Sequence, residues 1–308
     1  MTPKRRRTAN LIDRLFPYLL LVPAFTLVIT LNYIPIGESV IRSLYDWRGG
    51  SQATFIGLTN FKEIFRDMIF RVSMSNMFKL LVVQVAIVLT IPLLAAEYIF
   101  RLKHHPGLQN AFRILFVLPM VVPRIVIVLI WQFIYDGDVG LLNGILNSIG
   151  LSGLTRAWLD DPRLALYAIM FVGFPWVSGV ATLLYLAGLE NVESTIWDSC
   201  EMDGARGLRR VLTVDIHLIL GQLRTMVILT IIEIIGGYMF VDILVLTGGG
   251  PGWATMVPGL YLYENAFGYS RMGYACALGL TLSLIALLFT ARGYLEAVTM
   301  TRLALGGV

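Results

Sequence analysis

Six long apolar stretches constrain this chain more than any other feature of its sequence. They cover residues 15–37, 73–96, 112–135, 164–189, 220–246 and 272–294. About 20 apolar residues are enough to cross the hydrocarbon core of a bilayer as an α-helix. Charged residues make up only 14% of the chain, against roughly 25% in soluble domains. The sequence therefore predicts an all-α polytopic membrane protein with six transmembrane helices.

The positions of Lys and Arg predict the orientation of these helices. The cluster Lys4-Arg5-Arg6-Arg7 precedes the first stretch, and more basic residues fall on that side of the membrane than on the other. A cleaved signal peptide is the alternative for the first stretch. However, the stretch is long, contains Pro23 and Pro35, and lacks a small-residue cleavage site. By the positive-inside rule, both termini are expected on the cytoplasmic side.

Composition argues against several other classes of protein. The net charge of +4 is expected from basic cytoplasmic loops, so we expect no nucleic-acid partner. The cysteines, Cys200 and Cys276, are far apart and lack CxxC spacing, so neither a disulfide framework nor a metal site is predicted. The histidines at 104, 105 and 217 lack ligand spacing. We therefore expect no metal and no cofactor in this chain.

A charged segment, residues 198–217, lies between the fourth and fifth stretches. Ser194 is placed to cap a short helix, and Asp203-Gly204 is a turn signal that should end it. A basic helix from Ala205 to Leu212 is expected to follow. Such a bent segment beside a membrane suits docking to a soluble partner. A helix lying on lipid headgroups is an equally good interpretation.

The same segment resembles the cytoplasmic coupling motif of binding-protein-dependent ABC importer permeases. That motif reads Glu-Ala-Ala, three residues, Gly, nine residues, Ile-x-Leu-Pro. The positions that match it here are Asp198, Ser199, Cys200, Gly204, Val214, Ile216 and His217. Glu201 to Ala205 closely resembles the Asp-Gly-Ala form found in carbohydrate importers. Aspartate replaces the usual glutamate, Ser-Cys replaces Ala-Ala, and His217 stands where proline is usual.

Other motifs extend the resemblance from about residue 15 to residue 295. They are Gly57 to Phe61, Leu118-Pro119 with Pro123 and Trp131, Thr247 to Pro251, Ala254-Thr255, Tyr261 to Tyr263, Ala266-Phe267 and Gly273 to Ala275. Gly248 to Gly252 alone invites a phosphate-loop interpretation. A Walker A loop needs Lys-Ser/Thr directly after its glycines, and Trp253-Ala254-Thr255 follows here instead.

The resemblance implies the six-helix fold of type I ABC importer permeases, similar to the maltose permeases. It implies transport of a sugar or oligosaccharide across the bacterial inner membrane, with no enzyme activity in this chain. The implied partners are a second permease subunit, two ATP-binding subunits that hydrolyse ATP, an extracytoplasmic solute-binding protein, the sugar and membrane lipid. The expected divisions are a cytoplasmic tail (1–14), a first helix with its outer loop (15–72), a core permease domain (73–294) that contains the coupling segment (190–217), and a second tail (295–308).

Two sets of candidate site residues follow. Those expected to contact the ATPase are Trp197, Asp198, Ser199, Cys200, Glu201, Asp203, Gly204 and Ala205. Those expected along the substrate path are Arg124, Gly173, Phe174, Trp176, Val177, Val180, Glu233, Ile235, Gly236, Tyr238 and Met239. Charged residues within spans are functional candidates, so Glu233 is expected either to line a polar cavity or to pair with Arg124. Gly236-Gly237 is equally well explained as a close helix-packing point.

Two other functions remain open from the sequence. An ion-coupled secondary transporter should show broken helices with several intramembrane charges, and internal repeats, and neither is clear from the sequence. A membrane-embedded enzyme would need His, Asp or Glu clustered at helical spacing on one cavity, and the apolar stretches lack such a cluster.

Overall fold

The computed structural model describes the backbone of residues 11–305 and the side chains of residues 15–291. The predicted basic cluster Lys4 to Arg7 lies outside the described residues, as does the end of the predicted C-terminal tail from residue 306. The described part is mostly α-helical. Its helices are α1 Leu11–Val28, α2 Ile34–Arg42, α3 Thr59–Arg66, α4 Met68–Arg101, α5 Pro106–Val117, α6 Arg124–Ile134, α7 Leu141–Ser148, α8 Ala165–Phe171, α9 Gly179–Glu190, α10 Ser194–Met202, α11 Gly207–Arg210, α12 Ile216–Leu218, α13 Leu220–Ile235, α14 Phe240–Leu246, α15 Pro258–Tyr263 and α16 Met272–Leu305.

Short segments of other helix types join some of these helices. The π-helical segments are Ile29–Tyr33, Val211–Asp215 and Glu264–Gly268, and the 3₁₀ segments are Leu102–His104, Leu118–Val121 and Ser152–Leu154. Strands β1 (Tyr45–Trp47) and β2 (Ala53–Phe55) pair antiparallel in a small hairpin after α2, with Tyr45 opposite Phe55.

Three of the six apolar stretches form helices long and apolar enough to cross a membrane unbroken: Leu15–Arg42, Met68–His104 and Met272–Ala291. Two further stretches belong to bent helix pairs. Pro106–Val121 and Arg124–Ile134 meet at 87°, and Gly207–Leu218 and Leu220–Ile235 meet at 77°. Of the described helices, three to five are therefore candidate spans by length and composition.

Several of the helix breaks occur where the sequence holds proline or glycine. Val122, directly before Pro123, is extended (φ −75°, ψ 125°), because the proline ring disfavours helical backbone at the preceding residue. The fourth stretch divides into α8 and α9 around Gly173, which has φ +85°. The fifth divides into α13 and α14 at Gly236-Gly237, where Gly237 has φ +92°. Positive φ values are readily adopted only by glycine.

Helix α4 runs through the centre of the packed part and contributes to two hydrophobic clusters. Its first half, including Met77 and Leu80, packs with residues of α13 to α16. Its second half, including Ile99 and Phe100, packs with α9, α10 and α13. Residues 15–38 of the first helix are all exposed, as expected for a surface that faces lipid or another subunit.

A half-buried polar group, Asp67, fixes the start of α4. Asp67 caps the helix by accepting hydrogen bonds from the backbone amides of Ile69 and Phe70. It also accepts from the hydroxyls of Tyr274, at 2.7 Å, and Tyr261. Burial works to raise the pKa of Asp67, but these hydrogen bonds outweigh it and hold the pKa below its usual value. The arrangement ties α4 to α15 and α16 at one end of the bundle.

Candidate functional site

The first candidate site is the bent segment between α9 and α13, residues 194–218, which we call the elbow. Helix α10 begins at Ser194, and the N-cap position is occupied by Glu193 with no side-chain capping bond. The predicted Ser194 cap is therefore wrong, because Ser194 already lies within the first turn. The predicted continuous helix from 205 to 212 is also wrong: regular helix covers only Gly207–Arg210, and a π-helical turn follows.

Gly204 ends α10 as the sequence predicted. The Gly204 amide donates to the carbonyl of Glu201 (3.1 Å), and the Ala205 amide donates to the carbonyl of Cys200 (2.9 Å). With φ +68° at Gly204, this is a Schellman motif with its left-handed residue at C′. A β-carbon on Gly204 would meet no atom within 4 Å, so the bend faces open space.

The predicted coupling residues divide into two faces of the elbow. Trp197 and Cys200 point inward and are buried, and the Trp197 ring lies 5.1 Å from that of Phe100 on α4. Asp198, Ser199, Glu201, Asp203 and Gly204 are exposed, and Ala205 is half-buried. Helix α10 is thus held by two inward side chains and presents an acidic outer face.

The second candidate site is a cavity of about 620 Å³ between the helix breaks. Its wall is formed by α4, the turn between α5 and α6, the break between α8 and α9, and α13. Seven of the predicted substrate-path residues line it: Arg124, Gly173, Trp176, Val177, Val180, Glu233 and Tyr238.

The other predicted path residues lie elsewhere. Ile235 and Gly236 line a separate groove towards α16, Met239 is buried, and Phe174 packs against Trp176 with ring centroids 5.0 Å apart. The neighbouring Gly237 approaches the backbone of Gly259, whose added β-carbon would lie 3.4 Å from the Gly237 Cα. The close-packing interpretation therefore fits the geometry at Gly237, whereas Gly236 faces the groove.

The ion pair in the cavity wall is not the Arg124–Glu233 pair that the sequence offered as one of two alternatives. Arg124 pairs with Asp242, not Glu233; its Nε donates to Asp242 Oδ1 at 3.0 Å and its second nitrogen to Oδ2. Asp242 is fully buried, and the guanidinium also lies 5.3 Å from the centre of the Tyr238 ring. Glu233 is exposed to the cavity, and among the described side chains no cation lies within 4.0 Å of it. The ion pair with Asp242 fixes Arg124 in place, while Glu233 remains available to contact a molecule in the cavity.

Sequence reasoning missed three polar residues of the cavity wall, Gln84, Ser178 and Thr230. Gln84 is an amide within an otherwise apolar stretch, and that contrast could have identified it. Together with Glu233 these side chains offer hydrogen-bond partners, while Trp176 and Tyr238 offer aromatic surface. A large cavity with apolar walls and a few polar groups is typical of a small-molecule site.

Comparison with known proteins places the chain in a family. Residues 89–297 match the family model described as "Binding-protein-dependent transport system inner membrane component". The chain is 34% identical over 279 residues to the probable ABC transporter permease protein YurN of Bacillus subtilis, which covers 89% of this chain and 93% of that protein. It is 32% identical over 315 residues to the diacetylchitobiose uptake system permease protein NgcF of Streptomyces coelicolor, covering 99% of this chain and 87% of that one.

A solved structure shows the same fold. It is the crystal structure of a bacterial ABC transporter involved in the import of the acidic polysaccharide alginate, and one of its chains superposes with a TM-score of 0.80 at 19% identity. The superposition covers 94% of this chain and 98% of that one. This chain therefore belongs to the family of inner-membrane components of binding-protein-dependent transport systems.

Proposed function

We propose that this chain is a permease subunit of an ATP-driven ABC importer that carries a sugar or oligosaccharide across the bacterial inner membrane. The observation that carries the proposal is similarity along almost the whole chain to permeases of sugar systems. NgcF is named for diacetylchitobiose, and another relative is the trehalose/maltose transport system permease protein MalF of Thermococcus litoralis, 28% identical over 278 residues.

The cavity supports a saccharide as cargo. Pyranose rings have apolar C–H faces that pack on aromatic rings, and Trp176 and Tyr238 supply such rings in the wall. Sugar hydroxyls need hydrogen-bond partners, which Gln84, Thr230 and Glu233 supply. Arg124 is held by Asp242, so it can donate to a hydroxyl without first having to be ordered.

Six spans with both termini in the cytoplasm complete the proposed topology. The three unbroken helices and the bent pair of α5 and α6 supply four crossings. Helices α13 and α14 supply the fifth crossing in chain order, and α8 with α9 supplies the fourth as a broken helix. Non-helical backbone at membrane depth is tolerated where it lines a cavity, and the break between α8 and α9 does line one. The family match over residues 89–297 supports treating 73–294 as the core permease domain, preceded by the first helix and its outer loop.

In the proposed complex the elbow docks on a separate ATP-hydrolysing subunit. Two such subunits, a second permease and an extracytoplasmic binding protein would complete the importer; the alginate importer was solved with a periplasmic binding protein carrying an alginate pentasaccharide. Closure of the ATPase pair would push on the exposed face of α10 and on the Gly204 bend. The helices joined to the elbow would then change the side on which the cavity opens, by favouring one of two pre-existing states.

The test is uptake by the purified complex in proteoliposomes supplied with binding protein and a panel of labelled saccharides. We expect uptake that needs ATP on the cytoplasmic side and persists when ionophores abolish ion gradients. Uptake that follows an ion gradient and ignores ATP would instead favour a secondary transporter. Chemical conversion of the sugar during the assay would favour a membrane-embedded enzyme.

A further inference from the structure

Three ionisable groups, two of them buried, join the elbow to α4. Glu97, near the end of α4, is 3% exposed, and Asp215, in the π-helical turn of the elbow, is 0% exposed. Arg210 lies between them: its Nε donates to Asp215 Oδ2 at 3.1 Å, and its Nη2 is 3.6 Å from Glu97 Oε2. Glu97 lies far from Arg210 and Asp215 in sequence, so the complete cluster exists only when the elbow is seated on α4.

Arg210 also contacts the other half of the elbow. Its guanidinium carbon lies 5.0 Å from the centre of the Trp197 ring on α10 and 6.0 Å from the Phe100 ring on α4. One side chain therefore touches the helix before the Gly204 bend, the turn after it, and the span beneath both. Arg101 adds a second link, since its guanidinium donates to the Gly207 carbonyl at 3.3 Å.

The cluster is poorly arranged for stability alone. Neither carboxylate oxygen of Glu97 has a hydrogen-bond partner within the described residues, and Asp215 Oδ1 also lacks one. The nearest cations to Glu97 are Arg210 at 3.6 Å and Arg101 at 3.8 Å. Removing charges from water costs several kcal/mol per ion, and such clusters are often no more stable than apolar replacements. This arrangement points to a role in fixing geometry rather than in adding stability.

Electrostatic attraction suits a joint that has to move. The attraction between charges falls only as the inverse of their separation, whereas a dispersion contact loses roughly a quarter to a half of its energy when a gap of about 0.5–1 Å opens. A charged cluster can therefore keep the elbow attached to α4 while the elbow pivots. Helix α4 contributes Gln84, Ile87, Val88 and Pro92 to the cavity wall, so a force passed to α4 reaches the cavity.

We propose that Arg210 is a positioning residue which, with Glu97 and Asp215, forms an ionic anchor that transmits movement of the elbow to α4 and the cavity. The proposal rests on the proposed function, in which the elbow docks on an ATPase. It differs from docking itself because the anchor faces inward, away from the exposed residues that would touch the partner. Losing the anchor should leave docking and ATP hydrolysis intact while reducing transport.

The test compares variants in the assembled complex. Arg210→Ala removes the cation that the two acidic groups share and leaves Asp215 without its ion-pair partner, while Glu97 keeps Arg101 at 3.8 Å. A second variant, Glu97→Gln/Arg210→Met/Asp215→Asn, therefore replaces all three ionisable side chains with neutral ones of similar volume. Arg209→Ala is the matched control, because Arg209 is the neighbouring arginine of α11 and is exposed. Arg210→Lys keeps the charge but loses the planar fork that reaches both carboxylates, so it should give an intermediate result.

The first readout is sugar taken up per ATP hydrolysed. We expect it to fall about fivefold or more in Arg210→Ala and in the triple variant, in line with usual coupling free energies between sites, and to stay unchanged in Arg209→Ala. The second readout is hydrogen–deuterium exchange. We expect faster exchange across residues 194–218 in the triple variant and wild-type exchange in the Arg209 control.

A triple variant that assembles, transports per ATP like wild type and shows unchanged exchange would overturn the inference. A loss of uptake and ATPase activity in equal proportion would also overturn it, because that result indicates only a smaller amount of folded complex. Hydrogen–deuterium exchange reports directly on the attachment of the elbow to α4, and the result does not depend on which sugar is transported. Failure of the wild-type complex to take up sugar with ATP would instead count against the proposed function, so the two failures are distinguishable.

Discussion

Replacing Gly204 with Leu should release the ATPase from this chain without unfolding it. Gly204 is the C′ residue of α10, with φ +68°, and a side chain there costs roughly 1–2 kcal/mol in left-handed backbone strain. The β-carbon would point into open space, with no atom within 4 Å, so the isolated chain meets no further clash. In a docked complex the side chain would press into the interface, and overpacking of this kind typically costs about 1–3 kcal/mol.

The chain offers a control with the same local geometry. Gly150 ends α7 in another Schellman motif: its amide donates to Asn147 (3.1 Å) and the Leu151 amide to Leu146 (2.8 Å). Its φ is +79°, and an added β-carbon also meets no atom within 4 Å. Gly150→Leu should therefore carry the same strain, but in a loop that the proposed topology places on the side of the membrane opposite the elbow.

The assay is the affinity of the solubilised chain, in complex with its second permease, for the ATP-binding subunit. We expect the dissociation constant to rise roughly 5- to 150-fold for Gly204→Leu, the equivalent of 1–3 kcal/mol, and not at all for Gly150→Leu. Equal affinity in the two variants would refute the reasoning, because it would show that the open face of Gly204 is not at an interface.

Three further predictions follow from the charged residues. Arg124→Ala leaves the buried Asp242 carboxylate unpaired and should cost about 3–5 kcal/mol, seen as a lower Tm, whereas replacing both by apolar residues should restore most of it; an unchanged Tm in the single variant would contradict the pairing. Glu233→Gln should shift the KM of uptake several-fold with stability changed by less than about 0.5 kcal/mol, and an unchanged KM would remove Glu233 from the substrate path. The pKa of Asp67 is lowered from 3.8, so its stabilisation is complete above that pH and is lost as pH falls through the folded-state pKa. Asp67→Asn should therefore lower the Tm at pH 7, and the difference should shrink towards pH 3; a pH-independent difference would contradict the assignment.

The sequence predicted the helices well because the physical signal is local. A run of apolar residues long enough to cross a bilayer almost has to be helical, since backbone groups in lipid must pair within their own segment. The unbroken helices containing residues 15–37, 73–96 and 272–294 follow directly. The bend of the elbow could also be predicted from neighbouring residues, because a left-handed C′ position strongly favours glycine.

The breaks and the charge pairs could not be predicted in the same way. Pro123, Gly173 and Gly237 are visible in the sequence, but whether each one kinks or divides a span depends on what packs beside it. The pairing of Arg124 with Asp242 joins positions 118 residues apart, and only the fold shows that Glu233 is not the partner. Glu97 follows directly after the predicted end of a span, where a carboxylate is expected to reach water; the folded elbow covers it instead.

Cross-linking from the elbow tests the central claim most directly. Cys200 is buried and unsuited to this purpose, but the Met202 side chain is 88% exposed beside the Gly204 bend. A photoreactive residue placed at 202, in membranes that contain the neighbouring subunits, should give an adduct with an ATP-hydrolysing protein. Adducts with phospholipid alone would show that the elbow lies on the membrane surface and would contradict the account.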